Sequence, residues 1–149
     1  MNVACLPWPH KLLSPNARCN PILKSRAVKT HRALAMALGS QDRRKRLQIP
    51  VCGVLPIVTT RRRRDLDNVL AGLKAAFDGL TDAGWWSDDS DIVSITIRKP
   101  LYIRSWDRDP IVIVADDECN EREMLARLER FRMDAPTDPS AWETLIAHR

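Results

Sequence analysis

The 149-residue chain is 44% hydrophobic and 29% charged, an ordinary composition for one globular domain with room for a real core. No apolar run is long enough to span a bilayer, and no charged segment followed by an apolar stretch opens the chain as a secretion signal would. The net charge of +5 conceals a polarity: residues 1–64 hold fourteen Lys/Arg against one acid, Asp42, whereas residues 65–149 hold ten against eighteen. Such a division predicts a basic surface for a polyanion that ends where the acids begin. A solvated basic face without a partner is the plainer alternative. Cys5, Cys19, Cys52 and Cys119 are scattered without the close spacing of a zinc site, so they read as reduced thiols of a cytoplasmic protein.

In chain order, Val3-Ala4-Cys5-Leu6 predicts a first strand closed by Pro7-Trp8-Pro9. A loop over residues 10–21 follows, with Ser14-Pro15-Asn16 and Asn20-Pro21 as turn signals and Lys11 and Arg18 available to a phosphate backbone. His10, with no ligand-type neighbour in sequence, reads as solvated. From about Ser25 the spacing of Ala27, Val28, His31, Leu34, Ala35 and Leu38 predicts a helix that Gly39 ends, with Lys24, Arg26, Lys29 and Arg32 largely off its apolar face. A second basic cluster occupies residues 43–46. Residues 51–58 predict a strand, and Pro56, lacking a ladder donor, points to an edge or bulged strand rather than a central one.

Residues 65–83 predict the clearest helix, with Val69, Leu70, Leu73, Ala76, Phe77 and Leu80 on one side and Gly84 at its end. Asp67, Lys74 and Asp78 share a stripe roughly opposite. Residues 92–99 alternate as a strand with Val93, Ile95 and Ile97 on a buried face, which puts Asp89 on the helix-bearing side and Asp88 opposite. A connection from Pro100 to Pro110 containing Tyr102 and Trp106 leads to a short buried strand, Ile111-Val112-Ile113-Val114. Residues 116–133 predict an amphipathic helix ended by Pro136 and Pro139. Ser140-Ala141-Trp142-Glu143 fits a capping box opening a short last helix.

The chemistry concentrates in Arg61-Arg62-Arg63-Arg64-Asp65-Leu66-Asp67-Asn68 and Trp85-Trp86-Ser87-Asp88-Asp89. Guanidinium forks suit phosphates. Carboxylates repel them unless a divalent cation lies between, and hard oxygen ligands are what Mg²⁺ prefers. The pattern therefore predicts a metal-dependent enzyme that cuts a nucleic-acid backbone. For Asp67 alone a helix cap is the structural alternative, and for the residues around Asp88 a solvated acidic turn.

These same residues resemble the RusA-type Holliday-junction resolvases. The likeness rests on Arg-Arg-Arg-Asp-Leu-Asp-Asn, a following helix with Lys-Ala-Ala-Phe-Asp, and Gly-Trp-Trp-Ser-Asp-Asp before a strand. Leu6-Pro7-Trp8-Pro9 and Ser14-Pro15-Asn16 add a weaker match. The resemblance implies an α+β fold with a small mixed sheet of about four strands, helices packed on one face, and a homodimer. It implies a family domain over residues 1–115 and a C-terminal helical extension over residues 116–149. It further implies Mg²⁺, with Mn²⁺ as substitute, on Asp65, Asp67 and Asp89 with Asp88 beside them, and Lys74 as the catalytic lysine. Residues 69–73 separate Asn68 from Lys74, about three more than the family pattern, or about 4.5 Å of helical rise.

The leading expectation is an endodeoxyribonuclease resolving four-way DNA junctions, with Arg61, Arg62, Arg63, Arg64, Lys11, Arg18, Arg26 and Lys29 gripping phosphates. The rivals are a non-catalytic basic DNA-binding protein and a metal nuclease for other branched or single-stranded DNA.

Overall fold

A computed structural model describes residues 1–61, 63–104, 109–117 and 119–135, without the Asp42 side chain. Arg62, Trp106, Pro136, Pro139 and the expected last helix from Ser140 lie outside the described residues. The chain runs β1 (Asn2–Pro7), α1 (Pro21–Asp42), β2 (Val51–Val58), α2 (Leu66–Gly72), α3 (Lys74–Asp82), β3 (Ser94–Ile97), β4 (Leu101–Tyr102), β5 (Pro110–Asp116) and α4 (Glu121–Met133). The sheet order is β1-β5-β2-β3, with β4 also on β2. β5 is antiparallel to both β1 and β2, whereas β3 and β4 run parallel to β2. This is the expected α+β class with a mixed sheet.

Period-two alternation separates two apolar layers on the sheet. Ala4, Leu6, Cys52, Val54, Ile111 and Ile113 meet Ala35, Leu73, Ala76, Phe77 and Leu80 of the first three helices. Val3, Leu55, Ile57, Val112 and Val114 meet Met124, Leu128 and Phe131 of α4. The C-terminal helix thus covers the second face, so helices pack on both faces of the sheet and not on one as expected. Gly53 makes that approach possible, because a Cβ there would lie 2.6 Å from the Met124 sulfur.

β2 is central, contrary to the edge position expected from Pro56. Val54 and Val58 accept hydrogen bonds from Arg98 N–H and Ile103 N–H on the β3/β4 side. Pro56 has the same parity, so its missing donor faces the gap where β3 gives way to β4. A proline is tolerated in a central strand when its neighbour strand is interrupted beside it.

α1 begins four residues before the expected Ser25. Asn20 caps it by accepting from Ile22 N–H at 2.8 Å, and Pro21 occupies the first turn, where no donor is missed. Gly39 does not end this helix. It lies inside it, where an added Cβ would be 2.5 Å from Leu80 Cδ2, so the glycine serves close packing of α1 on α3.

The helix expected over residues 65–83 is two segments. Leu73 (φ −85°, ψ −4°) separates them, and its N–H is shared between the carbonyls of Val69 and Leu70. Gly72, a poor helix former pressed against Pro9, immediately precedes this tightened turn. Gly84 (φ 78°) ends α3 as expected. Trp85 N–H bonds Leu80 O and Gly84 N–H bonds Thr81 O, the double closure of a Schellman motif.

β3 departs from its expected burial. Ile97 packs on the core, but Val93 is 64% and Ile95 41% exposed.

Candidate active site

Asp65 is the N-cap of α2: its Oδ1 accepts from Asp67 N–H at 3.2 Å and its Oδ2 from Asn68 Nδ2 at 3.1 Å. The capping role considered for Asp67 therefore belongs to Asp65. Asp67 stands exposed in the first turn, with no partner on its carboxylate among the described residues. Asn68 ties in a second element, because its Oδ1 faces Asn16 Nδ2 at 3.5 Å. The loop carrying exposed Lys11 and Arg18 is thereby held beside the start of α2.

The acidic turn is positioned from beneath by two buried indoles. Trp85 Nε1–H donates to Gly39 O at 2.8 Å, and Trp86 Nε1–H donates to Thr81 Oγ1 at 2.7 Å. The rings pack edge to face with centroids 5.8 Å apart. Beyond them Asp88 caps a 3-10 turn over Asp89–Asp91: its Oδ1 accepts from Ser90 N–H, and Asp91 Oδ2 accepts from Asp88 N–H. Hydrogen bonds from Ser90, side chain first and then backbone, hold the Asp88 carboxyl below its ordinary range. Asp88 is thus engaged as a cap.

Lys74, first residue of α3, points its ammonium at this turn. Nζ lies 3.3 Å from Asp89 Oδ2 and 3.8 Å from Asp78 Oδ1. The hydrogen bond to Asp89, then the charge of Asp78, raises its pKa. With the extra residues before it, Lys74 still reaches Asp89.

The basic run divides. Arg61 lies over the Tyr102 ring at 5.0 Å, and Arg63 is exposed. Arg64 turns inward instead: its guanidinium lies 4.7 Å above the Trp8 ring, and Nη2 reaches Asp109 Oδ2 at 3.1 Å. Asp109 Oδ1 also accepts from Thr59 N–H and Oγ1–H at 2.8 Å each. Arg64 therefore clamps the approach to Asp65, whereas a phosphate grip had been expected of it. Arg26 and Lys29 lie exposed on α1.

One basic element gained a location that its sequence did not disclose. Buried Asn2 holds the loop after α1 through Lys45 O, Arg44 N–H and Lys45 N–H. From that loop Arg46 Nη2 donates to Ser87 Oγ at 2.6 Å, beside Asp88. The cluster over residues 43–46 was visible as charge, but only folding brings it to the acidic turn.

Among the described residues no three Asp, Glu, His or Cys side chains stand as a ready-made metal-holding group. The donors are still hard, partly exposed carboxylates. Mg²⁺ needs only one or two of these, its shell being completed by water and phosphate. By that chemistry the donor set fits, with Lys74 already pairing Asp89.

The model of endodeoxyribonuclease RusA matches residues 15–115, which contain both acidic segments and Lys74. The chain belongs to the RusA family. An uncharacterized protein of Xylella fastidiosa is 40% identical over 88 residues, 56% of this chain and 58% of that protein. Crossover junction endodeoxyribonuclease RusA of Escherichia coli K12 is 56% identical over 39 residues, 26% of this chain and 30% of its own length. The protein of the same name from Enterobacteria phage 82 is 54% identical over 39 residues. The chain thus spans under two thirds of each of these relatives. Among the described residues of this RusA-family chain, no helix is long and apolar enough to cross a membrane.

Proposed function

We propose that this RusA-family protein is an endodeoxyribonuclease that resolves four-way DNA junctions in the cytoplasm, as a homodimer making paired nicks. The observation that carries this reading is the Lys74–Asp89 pair at 3.3 Å, within a segment matched by the RusA model. Asp65, Asp67 and Asp89 are the residues that would hold Mg²⁺, or Mn²⁺ in its place. The bound ion would lower the pKa of a water and neutralise charge at the phosphodiester. Lys74 donates a hydrogen bond from Nζ and offsets charge on the leaving oxygen. Exposed Lys11, Arg18, Arg61 and Arg63 hold phosphates on either side, and the inward Arg64 keeps the approach to Asp65 rigid. In this reading residues 1–115 carry the chemistry and residues 116–149 are an extension whose helix closes the sheet.

A second reading, a non-catalytic DNA-binding protein, is favoured by one observation: Asp65 and Asp88 both serve as caps. Mg²⁺-dependent cleavage of a mobile four-way junction, linear duplex and single strand separates the two. Resolution of the junction, lost in Asp67→Asn with binding retained, supports the nuclease. Salt-sensitive binding without product on any substrate supports the binder. Product from single strand or another branched substrate alone reassigns the substrate.

A further inference from the structure

We infer that Asp78 is a positioning residue, which receives the Lys74 ammonium when a divalent cation takes its place on Asp89. The inference rests on the metal-dependent reading above and deepens it, giving a role to a carboxylate that this reading leaves unused.

Lys74 Nζ stands between two carboxylates on different elements, 3.3 Å from Asp89 Oδ2 and 3.8 Å from Asp78 Oδ1. The lysine side chain is 74% exposed, that of Asp89 39% and that of Asp78 27%. Ion pairs exposed to this degree contribute little to stability. The lysine also precedes Asp78 by four residues, the weaker order for a helical pair. Stability of the fold therefore does not account for either contact.

Asp89 belongs to the proposed metal set, yet its carboxylate already carries a cation. A Mg²⁺ ion takes carboxylate oxygens directly, at about 2.1 Å. An ammonium on Oδ2 opposes it by like charge, so the two compete for one carboxylate. The surroundings decide where a displaced ammonium goes. Asp82 is held by Arg32 at 2.5 and 2.7 Å. Asp88 is engaged as a cap by Ser90 N–H. Asp78, by contrast, pairs only with Lys74 among the described residues. Its Oδ1 lies about 1 Å beyond the length of a charged hydrogen bond, a gap that the flexible four-carbon lysine stem can close by rotation. Because both residues lie on α3, one turn apart, the transfer asks nothing of the backbone. Without Asp78 the ammonium would either stay on Asp89, against the ion, or be released into water. With it the charge is kept at the edge of the site, available to the leaving oxygen.

Mn²⁺ titrations of the full chain without DNA, followed by electron paramagnetic resonance, test this. Lys74→Met removes the competitor and should lower the Mn²⁺ dissociation constant about threefold, the scale of an exposed ion pair. Asp78→Asn leaves the ammonium with Asp89 as its one partner and should raise that constant about threefold. In the Lys74→Met background the same Asp78→Asn change should have no effect, since no ammonium remains to be received. Asp78→Ala should repeat both results, and far-UV circular dichroism should be the same for all variants. Equal weakening by Asp78→Asn in both backgrounds would make Asp78 a mere source of negative charge and overturn the handover. So would a Lys74→Met chain that binds Mn²⁺ no more tightly than the parent. Either result beside Mg²⁺-dependent junction cleavage by the parent leaves the nuclease reading standing. A parent chain that binds no Mn²⁺ and cuts no junction removes both.

Discussion

The ammonium of Lys74 lies 3.3 Å from the Asp89 carboxylate, joining the start of α3 to the turn before β3 across fifteen residues of sequence. Both groups are substantially exposed, so the pair adds little to stability. Lys74→Ala should therefore leave the melting temperature unchanged while lowering junction cleavage about a hundredfold, the typical cost of removing one transition-state donor. Because the partners raise the Lys74 pKa, its charge persists below the ordinary value of 10.5 and is lost only above it. Single-turnover rates from neutral pH to pH 9 should show no loss attributable to this group.

Asp65 combines capping with carboxylate chemistry, and substitutions can separate the two. Asp65→Asn retains an oxygen that accepts from Asp67 N–H, so chemical denaturation should be little changed while cleavage is abolished. Asp65→Ala should lose cleavage and also about 1 kcal/mol of stability, the usual cost of an N-cap. Equal stability of the two variants would remove the capping role.

Arg63 and Arg64 are neighbours with different surroundings. Arg63→Ala should weaken junction binding across all sequences, reduce the salt dependence by about one counterion, and leave stability alone. Arg64→Ala strips the partner from half-buried Asp109 and uncovers Trp8, so it should lower stability by about 2 kcal/mol. Titrations at several salt concentrations beside urea melts read both quantities.

Asp116 supplies an acid-sensitive anchor. Its buried carboxylate faces Arg127 Nη1 at 2.5 Å, Lys45 Nζ at 3.2 Å and the Met1 ammonium at 3.3 Å. Burial pushes its pKa up, but these cations outweigh burial and bring it to about 2. A depressed carboxylate contributes stability above its unfolded value, near 3.8, and loses that contribution as pH falls toward 2. Asp116→Asn should cost about 2 kcal/mol at pH 7. The gap between variant and parent should narrow between pH 4 and pH 2 in urea melts.

Local chemistry made much of this protein legible before folding. Strand positions followed from alternation, the end of α3 from Gly84, and the acidic segments from aspartates placed after arginines. Each depends on near neighbours, whose spacing the chain itself sets. Where the reading failed, distant residues had intervened. Gly39 looked like a helix end because its packing partners, Leu80 and Trp85, lie more than forty positions away. Pro56 looked like an edge signal because the interruption between β3 and β4 arises only on pairing. Arg64 looked like a phosphate ligand until Asp109 and Trp8, a hundred positions apart in the chain but adjacent in the fold, enclosed it. Residue type and spacing determined which chemistry this protein carries: exposed carboxylates, a lysine and a basic surface. Tertiary structure decided which charges stay available and which are consumed as caps and clamps, because a side chain's partners depend on which segments the core brings together.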